Sequence, residues 1–160
     1  SSRKLPRCPS LLWAMKKLGL LPHKRQTEAI FSSRKRLVQK GLLEYNKKGM
    51  LRITPQGHKV LAIATYLDRT KEKKKKWDGK WRVLIFDIPE NRKTDREGLR
   101  HTLISIGFMK LQDSVWIYPY DCEDLITLLK VDMEIGKDIL YMIVEALEYD
   151  KPVKKYFNLI

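Results

Sequence analysis

Eight residues, Trp81–Ile88 (WRVLIFDI), constrain the fold of this chain more than any others. A near-continuous apolar run of this length, ending at a proline, reads as a buried strand, and a buried strand has to build a sheet. Beyond Ile88 the chain keeps a helix–strand alternation. Thr94-Asp95-Arg96-Glu97 has the form of a capping box, with Thr as N-cap and Glu three residues later. Leu99, Leu103 and Ile106 then recur at one helical face up to Gly107. The segment FMKLQDSVWIYP predicts two strands about Asp113-Ser114. Asp121 is placed to cap a helix carrying Leu125, Leu128 and Leu129, and Asp138–Leu147 (DILYMIVEAL) predicts a last strand. The resulting order, βαββαβ, is the ferredoxin-like plan.

Charge divides the chain just before that strand. Residues 1–76 hold 21 Lys/Arg against 4 Asp/Glu, a balance of +17, whereas residues 77–160 hold 12 against 15, a balance of −3. Such asymmetry predicts two modules, one with a polyanion-binding face. Nucleic acid fits that face better than an anionic membrane, because no basic segment also carries a continuous apolar face. No apolar stretch approaches the roughly 18–20 residues of a membrane span. The leading SSRKLPRCPSLLWAMKKLG is not a convincing signal peptide, since Lys16 and Lys17 interrupt its short apolar part. Its paired serines read as an expression scar or as the cut edge of a longer chain. Cys8 and Cys122 lie far apart without partner-like spacing, which argues against a disulfide framework or zinc site and for a cytoplasmic location. His23, His58 and His101 are scattered and read as surface or locally hydrogen-bonded residues. No Ser-His-Asp, P-loop or GxGxxG arrangement occurs.

Within the basic half, Ser10 is a plausible N-cap for a helix carrying Leu11, Met15 and Leu18, which Gly19 can end. A second helix runs through HKRQTEAIFSSRKRLVQKGLL, with Ile30 and Leu37 two turns apart and Gly41 as a left-handed cap. Its opposite face offers Ser32, Lys35, Arg36 and Gln39. Leu42–Tyr45 and Met50–Thr54 predict two short strands about a turn at Asn46–Gly49, and Thr54-Pro55 opens a further helix with Pro at its first position. Helix, basic helix, glycine, lysine-tipped hairpin, helix is similar to the order of winged helix-turn-helix domains, whose second helix enters the major groove while the hairpin lies along the backbone. Such domains usually have an extra helix before the pair, for which little chain precedes Ser10. On this plan Ser32, Lys35, Arg36 and Gln39 face base edges, while Lys24, Arg25, Lys40, Lys47 and Lys48 hold phosphates. The charge run YLDRTKEKKKK at 66–76 reads as a solvated linker whose lysines add sequence-independent phosphate contacts.

WDGKWRVLIFDIPE, followed by Arg96 and Arg100 and then by GF and SVWIYP, resembles the central domain of the PaaX-type transcriptional repressors. Residues 77–119 are the most specific part of that resemblance. The central domain is itself similar to the small CRISPR adaptation subunit, the Cas-two nuclease fold. A winged helix belongs to the same repressors, so the resemblance covers nearly all the chain. It implies a homodimer that binds palindromic operators. These repressors carry a further C-terminal domain, and this chain ends at Ile160 without it, so their acyl-CoA effector response is not carried over.

In the Cas-two family an Asp at the end of the first strand, one from each protomer, can hold a metal across the dimer, and Asp87 occupies that position. Near it the chain offers only Glu90 and, further on, Asp95, whereas a hard-cation site needs several oxygen ligands. The competing reading is a strand-end carboxylate satisfied by Arg96, Arg100 or backbone N–H groups. Trp77, Trp81 and Trp116 read as core and linker packing, and Tyr118, Tyr120 and Tyr141 as lining the sheet or a protomer interface. The expectation is therefore an α+β protein: a winged helix-turn-helix at 1–66, a basic linker at 67–76 and a ferredoxin-like dimerisation domain at 77–160. Its function is sequence-specific binding of double-stranded DNA as a homodimeric transcriptional repressor, without cofactor or membrane and with any small-molecule effector unknown. The alternative is a metal-dependent Cas-two-like nuclease or CRISPR adaptation subunit, using Asp87 with Mg²⁺ or Mn²⁺; a third is a toxin-like ribonuclease on the same fold.

Overall fold

The computed structural model describes residues 24–66 and 75–160, with residues 24–30, Thr65, Tyr66 and Lys137 as backbone alone. The helix expected from Ser10, Cys8, His23 and most of the lysine run lie outside the described residues. Helix α1 spans Lys24–Gln39. It stops because Gly41 takes φ +69°, letting the Gly41 N–H reach the Val38 carbonyl and the Leu42 N–H reach that of Leu37. That pair of bonds is a Schellman cap, satisfying carbonyls the helix end would otherwise leave bare.

Strands β1 (Leu43–Tyr45) and β2 (Leu51–Ile53) come next as an antiparallel hairpin. Asn46 builds the tip: its side-chain oxygen accepts from the N–H groups of Lys48 and Met50, while Gly49 supplies φ +74°. Helix α2 (Pro55–Tyr66) begins with proline at its first position. Thr54 caps it, accepting from the Gly57 N–H at 3.1 Å and donating to the Gly41 carbonyl at 2.7 Å, so one hydroxyl ties the start of α2 to the end of α1. Gly57 is needed there, since a Cβ would strike the Leu42 carbonyl oxygen and the Ile53 side chain.

The second half holds β3 (Trp81–Phe86), α3 (Lys93–Ile106), β4 (Met109–Gln112), β5 (Val115–Tyr118), α4 (Glu123–Asp132), β6 (Ile139–Val144) and a short α5 (Lys151–Tyr156). The sheet order is β4-β5-β3-β6, antiparallel throughout, with β3 central. Two interleaved crossovers through α3 and α4 give the ferredoxin-like βαββαβ arrangement. The strand expected to reach Ile88 ends at Phe86, and the one expected over 138–147 is confined to 139–144.

The capping box at Thr94 does not form. Helix α3 starts two residues earlier, with Arg92 at the cap position after a 3₁₀ turn at Glu90–Arg92, and its N-cap makes no side-chain bond. Arg92 sets that start: it binds Asp95 at 2.7 Å and reaches across to the carbonyls of Met133 and Glu134, while Glu97 is taken by Arg100. At α4 the residue at the cap position is Cys122, although Asp121 contributes through its carboxylate, which accepts from the Glu123 N–H at 3.1 Å.

Alternation along β3 sends Leu84 and Phe86 to one face of the sheet and Trp81 and Val83 to the other. The first face packs on α3 and α4 through Leu99, Leu103, Ile106, Ile126, Leu128 and Leu129. Leu37, Leu42, Leu43 and Leu61 belong to this same core, so the small helix–hairpin unit is joined to the sheet unit by shared apolar packing. The second face is covered in part by α5 through Val153, with the Trp77 ring tilted at 46° against Trp81, centroids 4.8 Å apart. Trp81 and Trp116 are core residues, Tyr118 and Tyr141 are buried in the sheet, and Tyr120 is half-buried. Among the described residues no helix is long and apolar enough to cross a membrane.

Candidate nucleic-acid interface

Helix α1 is amphipathic in an unusual sense, because both of its long faces carry polar residues. Ser32, Lys35 and Gln39 are exposed, as are Lys40 just beyond the helix and Lys47 and Lys48 at the hairpin tip. None of these six side chains makes a hydrogen bond or ion pair with another described residue, so all six can take an external acceptor. Lys24 and Arg25 open the helix, and their side chains lie outside the described ones. Among the described side chains, the unpaired cations Lys35, Lys40, Lys47 and Lys48 thus lie on the outward stripe of α1, just past its end and at the hairpin tip, where a polyanion can meet them.

Arg36, expected on that face, is placed elsewhere. Its Nη2 donates to Asp124 Oδ1 on α4 at 2.7 Å. Ser33, fully buried, donates to the same oxygen at 2.7 Å and lies 3.0 Å from the Thr127 hydroxyl oxygen. Burial would push the Asp124 carboxyl up, but the Arg36 and Ser33 hydrogen bonds outweigh it and hold the group below the usual carboxylate range. The same hydrogen bond raises the Arg36 guanidinium. A second crossing between the units sets His58 Nδ1 3.4 Å from Asp132. Nearby, burial and then the Arg34 charge bring the Lys130 amine down to about 8.

Asp124, Thr127 and Lys130 are not singled out by the sequence. The only sequence signal is complementarity, an acidic Asp121-Cys122-Glu123-Asp124 stretch against a basic helix, and that names no partner. Arg36 and Asp124 edge an open cleft of about 560 Å³ that Lys75, Tyr118, Asp121 and Glu123 also line. Burial raises the Glu123 carboxyl there, with Asp121 adding to the effect.

Asp87 sits exposed just past the end of β3, its N–H bonded to the Asp138 carbonyl at 2.9 Å. The arginines expected to satisfy its carboxylate are engaged otherwise, Arg96 with Glu90 and Arg100 with Glu97 and the Asp113 carbonyl. Both lie on α3, and acids closer in sequence capture them, Glu90 from the 3₁₀ turn before the helix and Glu97 from the helix itself. Among the described residues no three His, Cys, Asp or Glu side chains gather as a metal cluster. Cys122 is buried 4.0 Å from the Tyr141 hydroxyl, and burial pushes its thiol up to about 12, which makes it a core residue and a poor nucleophile.

A family model described as the PaaX protein central Cas2-like domain matches residues 74–155. Among curated proteins and solved structures, nothing matches the chain.

Proposed function

The chain belongs to the PaaX family, and on that premise we propose that it is a transcriptional regulator, a repressor that binds double-stranded DNA as a homodimer. The observation that supports this reading best is the set of unpaired exposed side chains on α1 and the hairpin tip. Helix α1, the hairpin β1–β2 and α2 have the order of a winged helix-turn-helix, with α1 in the place of the groove-reading helix. Ser32, Lys35 and Gln39 then meet base edges, Lys35 being able to donate to guanine and Gln39 to pair adenine. Lys40, Lys47 and Lys48, with Lys24 and Arg25 at the start of α1, hold phosphates.

Dimerisation is proposed through the ferredoxin-like unit. Its outer strands β4 and β6 each pair on one side only among the described strands, and its second face carries half-buried Ile85, Met109, Leu111, Val115 and Met142. A second copy can cover that apolar surface, and a two-fold protein matches a palindromic site.

A duplex titration at rising salt tests the electrostatic core of the proposal. Affinity is expected to fall linearly on logarithmic axes, with a slope of about −0.9 for each phosphate neutralised. Binding that is absent at low salt, or indifferent to salt, would contradict it.

A further inference from the structure

The two faces of α1 do different work. Ser33, Arg36 and Leu37 form one stripe at i, i+3, i+4, and each is engaged by the ferredoxin-like unit: Ser33 and Arg36 by a single oxygen of Asp124, Leu37 by the shared core. Ser32, Lys35 and Gln39 form the other stripe and face outward. Asp124 stands in the first turn of α4, where the helix dipole also favours a carboxylate. Two charge-assisted hydrogen bonds and a buried leucine on one stripe fix the rotation of α1 about its own axis, and so the direction in which the outward stripe points. An arginine that reads guanine needs its guanidinium edge free for a bidentate contact, and here Nη2 is already committed.

We infer that Asp124 is a positioning residue for DNA binding, anchoring α1 on α4, and that Arg36 serves this anchor instead of contacting DNA. The DNA part of the inference rests on the function proposed above; the anchor itself does not. Freeing Arg36 would cost the half-buried Asp124 its ion-paired partner and leave it, among the described residues, with the Ser33 hydroxyl as donor. The anchor therefore persists in the bound state, and the angle of the reading helix on the dimerisation unit is set within the chain.

The test compares the wild type, Arg36→Ala, Asp124→Ala and the double variant, all checked for an intact circular dichroism spectrum. Each is titrated with duplex DNA across salt, and each is spin-labelled at Gln56→Cys and Glu148→Cys in a Cys8→Ser background for a distance measurement without DNA. Both label positions are exposed, one on each unit. The expected result is that both single variants weaken binding, on the order of three- to tenfold, Asp124→Ala at least as much as Arg36→Ala because it also loses the Ser33 bond, with the double variant no worse than Asp124→Ala, because Arg36 acts through that carboxylate. The salt slope stays unchanged, and the label distance distribution broadens in every variant.

Three results would overturn the inference. A salt slope reduced by about one contact in Arg36→Ala, with Asp124→Ala binding normally, makes Arg36 a DNA ligand. Tighter binding with a steeper slope in Asp124→Ala makes the pair autoinhibitory. An unbroadened distance distribution removes the anchor. Should the wild type fail to bind any duplex, the DNA reading falls on its own, and the label distances still decide the anchor: broadening supports it and no change overturns it.

Discussion

Lys35 and Arg36 are neighbours in sequence and opposites in circumstance. Lys35 faces outward with no partner among the described residues, while Arg36 is held at 2.7 Å by a carboxylate 88 residues further along the chain. Local pattern puts both on the polar side of a helix, and it is right about exposure for both. It cannot see the Asp124 contact, because a pairing across that separation leaves no periodic trace in either segment. Replacing Lys35 with alanine is expected to cost about 1–3 kcal/mol of duplex affinity if the amine pairs a base, with the helix retained because Leu37 and its core contacts are untouched. Fluorescence anisotropy read alongside circular dichroism checks this, and an unchanged affinity would move the DNA face off α1. Asp87 is the other residue on which function turns. Arg96 and Arg100 are engaged by glutamates, so its carboxylate lacks the arginine partners expected from sequence, and among the described residues of one chain no three His, Cys, Asp or Glu side chains gather as a cluster. Asp87→Asn is expected to bind duplex DNA as the wild type does, and neither protein is expected to cut DNA or RNA with Mg²⁺ or Mn²⁺. Metal-dependent cleavage that vanishes in Asp87→Asn would make the chain an enzyme.

Elements are more legible than their ends. Leu99, Leu103 and Ile106 announce α3 by spacing alone, and all three are buried as that spacing requires. The start of the helix is not legible. Thr94 and Glu97 satisfy the local capping rule, but Arg92 bridges to the carbonyls that end α4 and draws the first turn back by two residues. Tertiary contacts of one arginine outweigh a capping box whose two bonds would each be worth about 1 kcal/mol. The α2 start goes the other way: Thr54-Pro55 opens the helix as its sequence predicts, since the hydroxyl serves both helices at once. Leu103, completely buried beneath β3, gives this level its test. Leu103→Ala is expected to destabilise the fold by about 2–5 kcal/mol, seen as a lower urea midpoint at unchanged slope. A loss below about 1 kcal/mol would mean that the core around α3 collapses onto the gap or that the helix packs differently.

At the scale of the whole molecule, charge and topology carry the case together. The +17 balance of residues 1–76 belongs to the half that offers the basic helix face and the lysine-tipped hairpin, and the βαββαβ half is where the PaaX family model matches. The shared core through Leu37 and Leu61, which couples the halves, is invisible in sequence because each leucine also satisfies its own helix. Light scattering at micromolar concentration is expected to give twice the chain mass, and a monomer in the presence of DNA would remove the two-fold that the operator reading needs. The most direct test of the central claim, sequence-specific recognition of duplex DNA, is a selection of bound sequences from a random duplex pool. A palindromic motif is expected, its half-sites one helical turn (about 34–36 Å) or a multiple of it apart. Recovery of the pool without enrichment, from protein that is folded and binds DNA, would contradict it.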